Sequence, residues 1–295
     1  MRDRLKVIGI GELLWDILPE GKKLGGAPCN FVYHAMMQGA NGLALTAIGN
    51  DEDGKEILEV LRSKHIPGDL IQVNDKPTGT VDVMLSEDGI PEYTIHEKVA
   101  WDYISLNEAA VTAVSRADIV CFGSLAQRNS ASRSTIAQLL KGCGHDTIIA
   151  CDINLRQQYY NADIINTSLQ YCNVLKLNEE ELPIVVNLLG SDRMREEDQI
   201  IELIDRYSLK LVAFTKGSVG SLLVTPGEKS YLPTPEVDVK DTVGAGDSFT
   251  AVMCTGFAIG EPLHALHQKA VDISAYVCTQ DGAMPDYKKQ KQKNK

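Results

Sequence analysis

Residues 195–215, REEDQIIELIDRYSLKLVAFT, join a stretch of helical length and period to a short apolar run typical of a buried strand. The same alternation recurs along the chain. The other strand-like runs are LKVIGI (5–10), LALTAI (43–48), DIVCF (118–122), TIIACD (147–152), NVLKL (173–177) and SLLVT (221–225). Strands that alternate with helices predict an α/β fold, with a central, mostly parallel sheet flanked by helices on both faces. In such sheets, ligands bind beyond the carboxyl ends of the strands.

One region departs from this alternation. Residues 77–104, PTGTVDVMLSEDGIPEYTIHEKVAWDYI, alternate with a period of two on both sides of Asp88-Gly89, which predicts a hairpin. We interpret it as part of a small β lid over the ligand-binding edge, with strands from about 12–24 and 77–104; mere decoration is the alternative. Because no linker or internal repeat interrupts the chain, a single domain over 1–295 is expected.

Composition limits the function classes. The chain has 295 residues, of which 44% are hydrophobic and 23% charged, and its net charge is −11. That charge argues against nucleic acid or an anionic membrane as a partner. The seven cysteines are scattered without a C-x-x-C pair, which is typical of reduced thiols in a cytoplasmic protein. The basic tail, 288–295, is expected to be a solvated end.

Three apparent motifs fail. GNDEDGKE (49–56) lacks the final Ser or Thr of a P-loop and fills the turn with acids, which would repel phosphate. GIGELL (9–14) has Leu14 where a dinucleotide fingerprint needs its third glycine. His264 and His267 have helical spacing but no third ligand, so a surface helix face is the expected explanation.

The segment DTVGAGDSFT (241–250) carries the strongest chemical signal. The strand-like EVDVK (236–240) precedes it, and a helix with one apolar face is predicted after it. Small residues at a helix start expose backbone N–H groups and form an anion site, here at Gly244, Ala245 and Gly246. Asp247 lies in the first turn. It could be a helix cap, but a carboxylate beside an anion site can also take the proton of a hydroxyl that attacks phosphorus.

This segment resembles the C-terminal signature of the ribokinase-like family of carbohydrate kinases, in which the corresponding Asp is the base and the GAG amides form the anion hole. Four further segments resemble family motifs in the same order along the chain. They are GGAPCNFVYHAMMQGA (25–40), AIGNDEDGKEIL (47–58), LKLNEEEL (175–182) and TKGSVGSLLV (215–224). The fold implied is a ribokinase-like α/β kinase domain.

The resemblance also implies a site. The sugar-binding residues would be Asp16, Gly25, Gly26, Asn30 and Arg156. The ATP-binding residues would be Lys176, Asn178, Thr215, Lys216, Gly217, Gly220 and Gly282; for the two lysines, ordinary exposed side chains are the alternative. Asn178 and Glu181 would place Mg²⁺ through water, although a capping pattern would explain them too. Asp241 would orient the loop and, in many relatives, helps to hold a monovalent cation such as K⁺.

The sugar is less clearly indicated. GGAPCN, FGSLAQR (122–128), DINLRQ (152–157) and AWDYI (100–104) are most similar to the fructokinase branch, which implies fructose and its O6 hydroxyl. Arg156 could instead grip a carboxylate, as a 2-keto-3-deoxygluconate kinase requires. A non-catalytic sugar- or nucleotide-binding regulator of the same fold is a third alternative. Relatives often pair through the lid, so a homodimer is expected.

Overall fold

A computed structural model describes residues 4–19, 21–85, 91–192 and 194–287. Its strands are β1 (Lys6–Ile10), β2 (Leu14–Leu18), β3 (Gly21–Gly25), β4 (Asn41–Gly49), β5 (Ile71–Asn74), β6 (Gly79–Leu85), β7 (Pro91–Ile95), β8 (Ile119–Gly123), β9 (Ile148–Asp152), β10 (Val174–Asn178), β11 (Leu211–Lys216), β12 (Gly220–Val224) and β13 (Lys229–Pro233). Its α-helices are α1 (Ala27–Met37), α2 (Glu52–Ser63), α3 (Glu108–Ser115), α4 (Ser130–Lys141), α5 (Ala162–Tyr171), α6 (Glu181–Leu188), α7 (Glu196–Tyr207), α8 (Ala245–Ala258) and α9 (Leu263–Cys278).

The central sheet has nine strands in the described ranges, in the order β13-β12-β11-β10-β9-β8-β1-β4-β5. The strands from β11 to β5 run parallel, and at one edge β12 pairs antiparallel with both β11 and β13. Successive strand residues point to opposite faces, so Val7 and Ile8 belong to different cores. Helices α3 to α7 cover the face of Ile8, and α1, α2, α8 and α9 cover the face of Val7. The predicted α/β architecture is confirmed.

A second, four-stranded sheet has the order β3-β2-β6-β7. It is mixed, because β2 runs parallel to β6 while the outer pairs are antiparallel. Three residues separate the end of β1 from the start of β2, so this sheet extends from the carboxyl edge of the central sheet. The predicted Asp88-Gly89 turn and the tail 288–295 lie outside the described residues.

Arg128 ties the second sheet to the central one. Its guanidinium lies 4.0 Å from the ring centre of Trp101 and 4.7 Å from that of Tyr159. It makes two hydrogen bonds of 2.8 and 2.9 Å to the carboxylate of Asp102 and donates another to the carbonyl of His96, just beyond β7. Because a planar guanidinium can both stack and bond bidentately, one side chain fixes the base of the β6–β7 pair.

Two local expectations were wrong. Residues 236–240 form no strand; Val237 and Val239 are exposed and have no sheet partner in the described ranges. His267 is fully buried rather than on a surface face. Its ring nitrogens lie 2.8 and 2.9 Å from the hydroxyls of Ser221 and Ser230, so strands β12 and β13 supply polar partners that the helix sequence alone cannot reveal.

Candidate active site

Two helix starts meet at the carboxyl edge of the central sheet. Asn30 lies in the first turn of α1 and Asp247 in the first turn of α8. The amide nitrogen Nδ2 of Asn30 donates a 2.8 Å hydrogen bond to Oδ2 of Asp247. The structure therefore joins two residues that lie 217 positions apart in sequence and that were both predicted for the site.

The start of α8 leaves several backbone donors open. Gly244 has φ = 79° and precedes the helix. The N–H of Ala245 donates to the carbonyl of Thr242 at 3.2 Å. The N–H groups of Gly244, Gly246 and Asp247 have no acceptor among the described residues. Such donors at a helix start attract anions. In this conformation the N–H of Ala245, predicted to be one of the open loop amides, is occupied, and the open N–H groups are those of Gly244, Gly246 and Asp247.

Gly244 also explains why the loop needs glycine. A Cβ atom there would lie 2.7 Å from the backbone of Ala283, and the left-handed conformation costs a side-chain-bearing residue about 1–2 kcal/mol. We expect Gly244→Ala to lower kcat by at least tenfold, because the loop must move to relieve the contact. Gly260→Ala is the matched control, since Gly260 has φ = 75° and no neighbouring atom within 4 Å of its Cβ position. Equal kcat losses in the two variants would contradict the role of this packing.

Asp247 is chemically suited to accept a proton. Burial, together with the nearby charge of Asp152, raises the pKa of Asp247 to about 7, while Asn30 and Lys176 act in the opposite direction. A base is most effective when its pKa lies near the working pH. Asn30 occupies one oxygen of the carboxylate, and Oδ1 has no partner among the described residues.

A buried charge network lies directly behind the loop. The ammonium of Lys176 donates a 2.9 Å hydrogen bond to Asp152, and Thr250 of α8 donates to the other oxygen of Asp152 at 3.1 Å. Burial acts to lower the pKa of Lys176, but the charges of Asp152 and Glu181 outweigh it and the pKa is raised. A Cβ on Gly246 would lie 3.3 Å from the Lys176 nitrogen, so this ammonium lies against the anion-binding loop.

Asn178 and Glu181 cap each other at the start of α6. The side-chain oxygen of Asn178 accepts from the N–H groups of Glu180 and Glu181 at 2.9 Å. Glu181 is 4% exposed, and its two oxygens accept from the N–H groups of Leu155 and Asn178 at 2.9 and 2.8 Å. The capping geometry is thus present, and the charges of Glu181 and Lys176 act on each other's pKa.

The other predicted sugar-binding residues contact one another near the start of β2. A Cβ on Gly25 would lie 2.5 Å from Oδ2 of Asp16, and one on Gly26 would lie 2.5 Å from the carbonyl oxygen of Glu12. At position 26, with φ = 124° and a backbone neighbour, only glycine allows this approach. Burial raises the pKa of Asp16 to about 6, against the nearby positive charge of Arg156. Arg156 is exposed, and it donates to the carbonyl of Leu155.

The predicted nucleotide residues are only partly brought together. Asp241 joins two of the segments, since its oxygens accept from the N–H groups of Val243 at 3.0 Å and Gly282 at 3.1 Å. Lys23 of the second sheet lies 3.5 Å from the same carboxylate. Lys216, in contrast, is paired with Glu196 at 2.8 Å and does not join this group.

The loop after β11 is shaped by its glycines. Thr215 is the next-to-last residue of β11, and its carbonyl accepts a hydrogen bond from the N–H of Glu179 at 3.0 Å. Gly217 has φ = 46°, and Gly220 has φ = 155° with a Cβ position 2.6 Å from the carbonyl of Leu232. The chain can therefore turn tightly beside the ends of β10 and β11.

The comparisons identify the family. A family model described as pfkB family carbohydrate kinase matches residues 20–290. The chain belongs to the PfkB family of carbohydrate kinases. The suspected family and the enzyme class, a carbohydrate kinase, are thereby confirmed.

Individual relatives agree with this assignment. The PfkB chain is 28% identical over 268 residues to a sugar kinase of Pyrococcus horikoshii, covering 85% of this chain and 82% of that protein. The crystal structure of that uncharacterized sugar kinase matches with a TM-score of 0.82 over 97% of this chain and 96% of that protein's chain. A second crystal structure of the same kinase, in complex with ATP, matches with a TM-score of 0.81 over 94% of both chains.

Two relatives have more specific names. An ATP-dependent 6-phosphofructokinase of Thermoanaerobacterium thermosaccharolyticum is 26% identical over 297 residues, covering 95% of this chain and 90% of that protein. A fructokinase of Klebsiella pneumoniae is 26% identical over 266 residues, covering 86% of this chain and 84% of that protein.

Sequence reasoning missed two residues of this site. Asp152 pairs with Lys176 because β9 and β10 set these residues opposite each other, which is a matter of strand register. Glu12 matches none of the motifs, although an acid two residues after a buried strand of a parallel sheet falls at the ligand-binding edge. In the described ranges, no helix is long and apolar enough to span a membrane.

Proposed function

We propose that this PfkB kinase transfers the γ-phosphoryl group of ATP to a primary hydroxyl of a monosaccharide, with fructose and its O6 as the first candidate. The observation that carries the proposal is the contact between Asp247 and Asn30 beside the open N–H groups of Gly246 and Asp247. It combines a group that accepts a proton with donors for the phosphoryl oxygens.

The transfer follows from this arrangement. Asn30 holds one oxygen of the Asp247 carboxylate, and the other accepts the proton of the attacking hydroxyl. The hydroxyl oxygen forms a bond to the γ-phosphorus while the bond from phosphorus to the β–γ bridging oxygen breaks, and ADP leaves. The open N–H groups and the ammonium of Lys176 stabilise the negative charge on the transferred group. The second sheet would cover the sugar and exclude water, which would otherwise react in its place.

Magnesium enters this proposal with ATP. In the described part of the chain, no group of three or more His, Cys, Asp or Glu side chains forms a metal site. Glu181 fits a hydrated ion instead, because each of its oxygens accepts one backbone N–H group and can accept a second hydrogen bond, here from a water ligand. Asn178, whose side-chain oxygen already accepts two N–H groups, would act by holding the start of α6. When bound to the phosphates, Mg²⁺ neutralises the charge that develops on them. For Asp241, the contacts to Val243 and Gly282 favour loop orientation over K⁺ binding.

The acceptor rests on separate observations. The similarity to the Klebsiella pneumoniae fructokinase favours fructose. Arg156 beside Asp16 favours 2-keto-3-deoxygluconate as the second candidate, since a guanidinium binds a carboxylate well. Membership of a carbohydrate kinase family favours a kinase for either sugar over the non-catalytic regulator. A homodimer in the cytoplasm, as expected from the sequence, remains part of the proposal, and size-exclusion chromatography would test the dimer.

ADP release with ATP and Mg²⁺ tests the function directly. The panel contains fructose, fructose 6-phosphate, ribose, tagatose, nucleosides and 2-keto-3-deoxygluconate. We expect ADP release that depends on a sugar with a free primary hydroxyl, and fructose to give the highest kcat/KM. A preference for fructose 6-phosphate would contradict O6 as the acceptor, and binding without ADP release for every sugar would contradict the transfer itself.

A further inference from the structure

Glu12 presents a buried oxygen that the protein does not satisfy. The residue follows β1 at the carboxyl edge of the central sheet and is 4% exposed. Its Oε2 atom has no hydrogen-bond partner among the described residues. A buried polar atom without a partner is costly, and burial accordingly raises the pKa of Glu12. Backbone hydrogen bonds from Glu12 itself and from Ala27 act in the opposite direction on this pKa, but the unsatisfied Oε2 at a ligand-binding edge still requires an explanation.

The surroundings of Glu12 belong to the proposed sugar site. The negative charge of Glu12 raises the pKa of Asp247. The positive charge of Arg156 lowers the pKa of Glu12. Its carbonyl oxygen leaves room only for a glycine at position 26. Asn30, which holds Asp247, has a second buried atom without a partner, its Oδ1. Two unused acceptors thus lie on the elements that flank Asp247.

We propose that Glu12 is a further sugar-binding residue, whose carboxyl group forms a hydrogen bond with a hydroxyl group of the acceptor. The inference rests on the proposed function, because it assigns a contact within that site. A hydroxyl suits the position better than an ammonium group, since Arg156 already supplies positive charge nearby. A hydroxyl can also donate or accept, so the bond forms with the carboxyl group in either protonation state. The unused Oδ1 of Asn30 offers an acceptor for a second hydroxyl.

Kinetics with deoxy sugars tests the contact. KM and kcat are measured at pH 8 for wild type, Glu12→Gln and Glu12→Ala with D-fructose and its 1-deoxy, 3-deoxy and 4-deoxy analogues. We expect Glu12→Ala to raise KM for fructose roughly tenfold or more, the loss typical of a hydrogen bond to an ionised group, with a smaller rise for Glu12→Gln. For one deoxy sugar, the penalty seen in wild type should largely vanish in Glu12→Ala, because the two changes remove the same bond.

Glu261→Gln is the matched control. Its Oε2 is also buried without a described partner, but it lies beyond the C-terminal end of α8, whereas the site lies at the N-terminal end. Its KM for fructose should stay within about twofold of wild type. If every deoxy penalty is the same in wild type and in both Glu12 variants, Glu12 holds a buried water or a structural contact and the inference is wrong. If wild type phosphorylates no sugar of the panel, the proposed function itself fails.

Discussion

Replacing Asp247 with Asn lowers kcat by about 10²–10⁴-fold, the range typical of losing a general base. Asn keeps the shape of the side chain and can still accept the hydrogen bond from Asn30, so the site is conserved except for its ability to take a proton. Asp247 makes no cap bond to the start of α8, where Gly244 is the N-cap. The same variant therefore separates a general base from a merely structural contact with Asn30, which Asn would keep. Steady-state kinetics with the best sugar of the panel measures the effect.

The stability of Asp247→Asn provides its control. The folded-state pKa of Asp247, about 7, lies above its ordinary value of 3.8. For a carboxyl group with a raised folded pKa, the contribution to stability is complete below pH 3.8 and is lost as pH rises through about 7. The charged form therefore destabilises the fold at pH 8, and we expect Asp247→Asn to melt at the same or a higher temperature than wild type. A variant that melts lower, with kcat near that of wild type, would show that Asp247 has only a structural role.

Replacing Lys176 with Met destabilises the protein by about 3–5 kcal/mol, the cost typical of leaving one partner of a buried ion pair without the other. Lys176 and Asp152 are both buried, and their contact is 2.9 Å. The remaining carboxylate of Asp152 would also raise the pKa of Asp247 further, because Lys176 no longer opposes it. We therefore expect a lower free energy of unfolding and a shift of the kcat/KM profile to higher pH.

The double variant Lys176→Met/Asp152→Asn is the matched test of that cause. With both charges removed, no uncompensated charge remains, so most of the lost stability should return. Denaturant unfolding of the two single variants and the double variant measures the coupling. If the double variant is destabilised by the sum of the single effects, the two side chains do not act as a pair.

Local sequence patterns predicted the central architecture well. The predicted runs at 5–10, 147–152 and 210–215 match strands β1, β9 and β11 to within one residue at each end. Short apolar stretches between amphipathic helices are typical of buried strands in a parallel sheet. The helix start at Gly244 to Asp247 was predicted for a similar reason, since its signal is contiguous. Asn30 and Asp247 could be assigned to one site only through the family resemblance, as nothing in the local pattern links two positions 217 residues apart.

Tertiary partners decided the remaining features. Lys216 was predicted as a phosphate candidate, and the structure pairs it instead with Glu196 of α7 at 2.8 Å. His267 has the spacing of a surface helix, yet Ser221 and Ser230 satisfy it in the core. Residues 236–240 alternate like a strand, but they have no neighbour to pair with in the described ranges. In each case the missing information was the identity of a neighbour distant in sequence.

A crystal structure with sugar, ADP and a planar metal-fluoride mimic of the transferred phosphoryl group tests the central claim most directly. We predict that the free carboxylate oxygen of Asp247 lies roughly 2.6–3.2 Å from the acceptor hydroxyl oxygen, within hydrogen-bond reach. The fluorides should lie about 2.7–3.1 Å from the backbone nitrogens of Gly246 and Asp247. A carboxylate turned away from the hydroxyl, with those N–H groups bonded to the protein instead, would contradict the account.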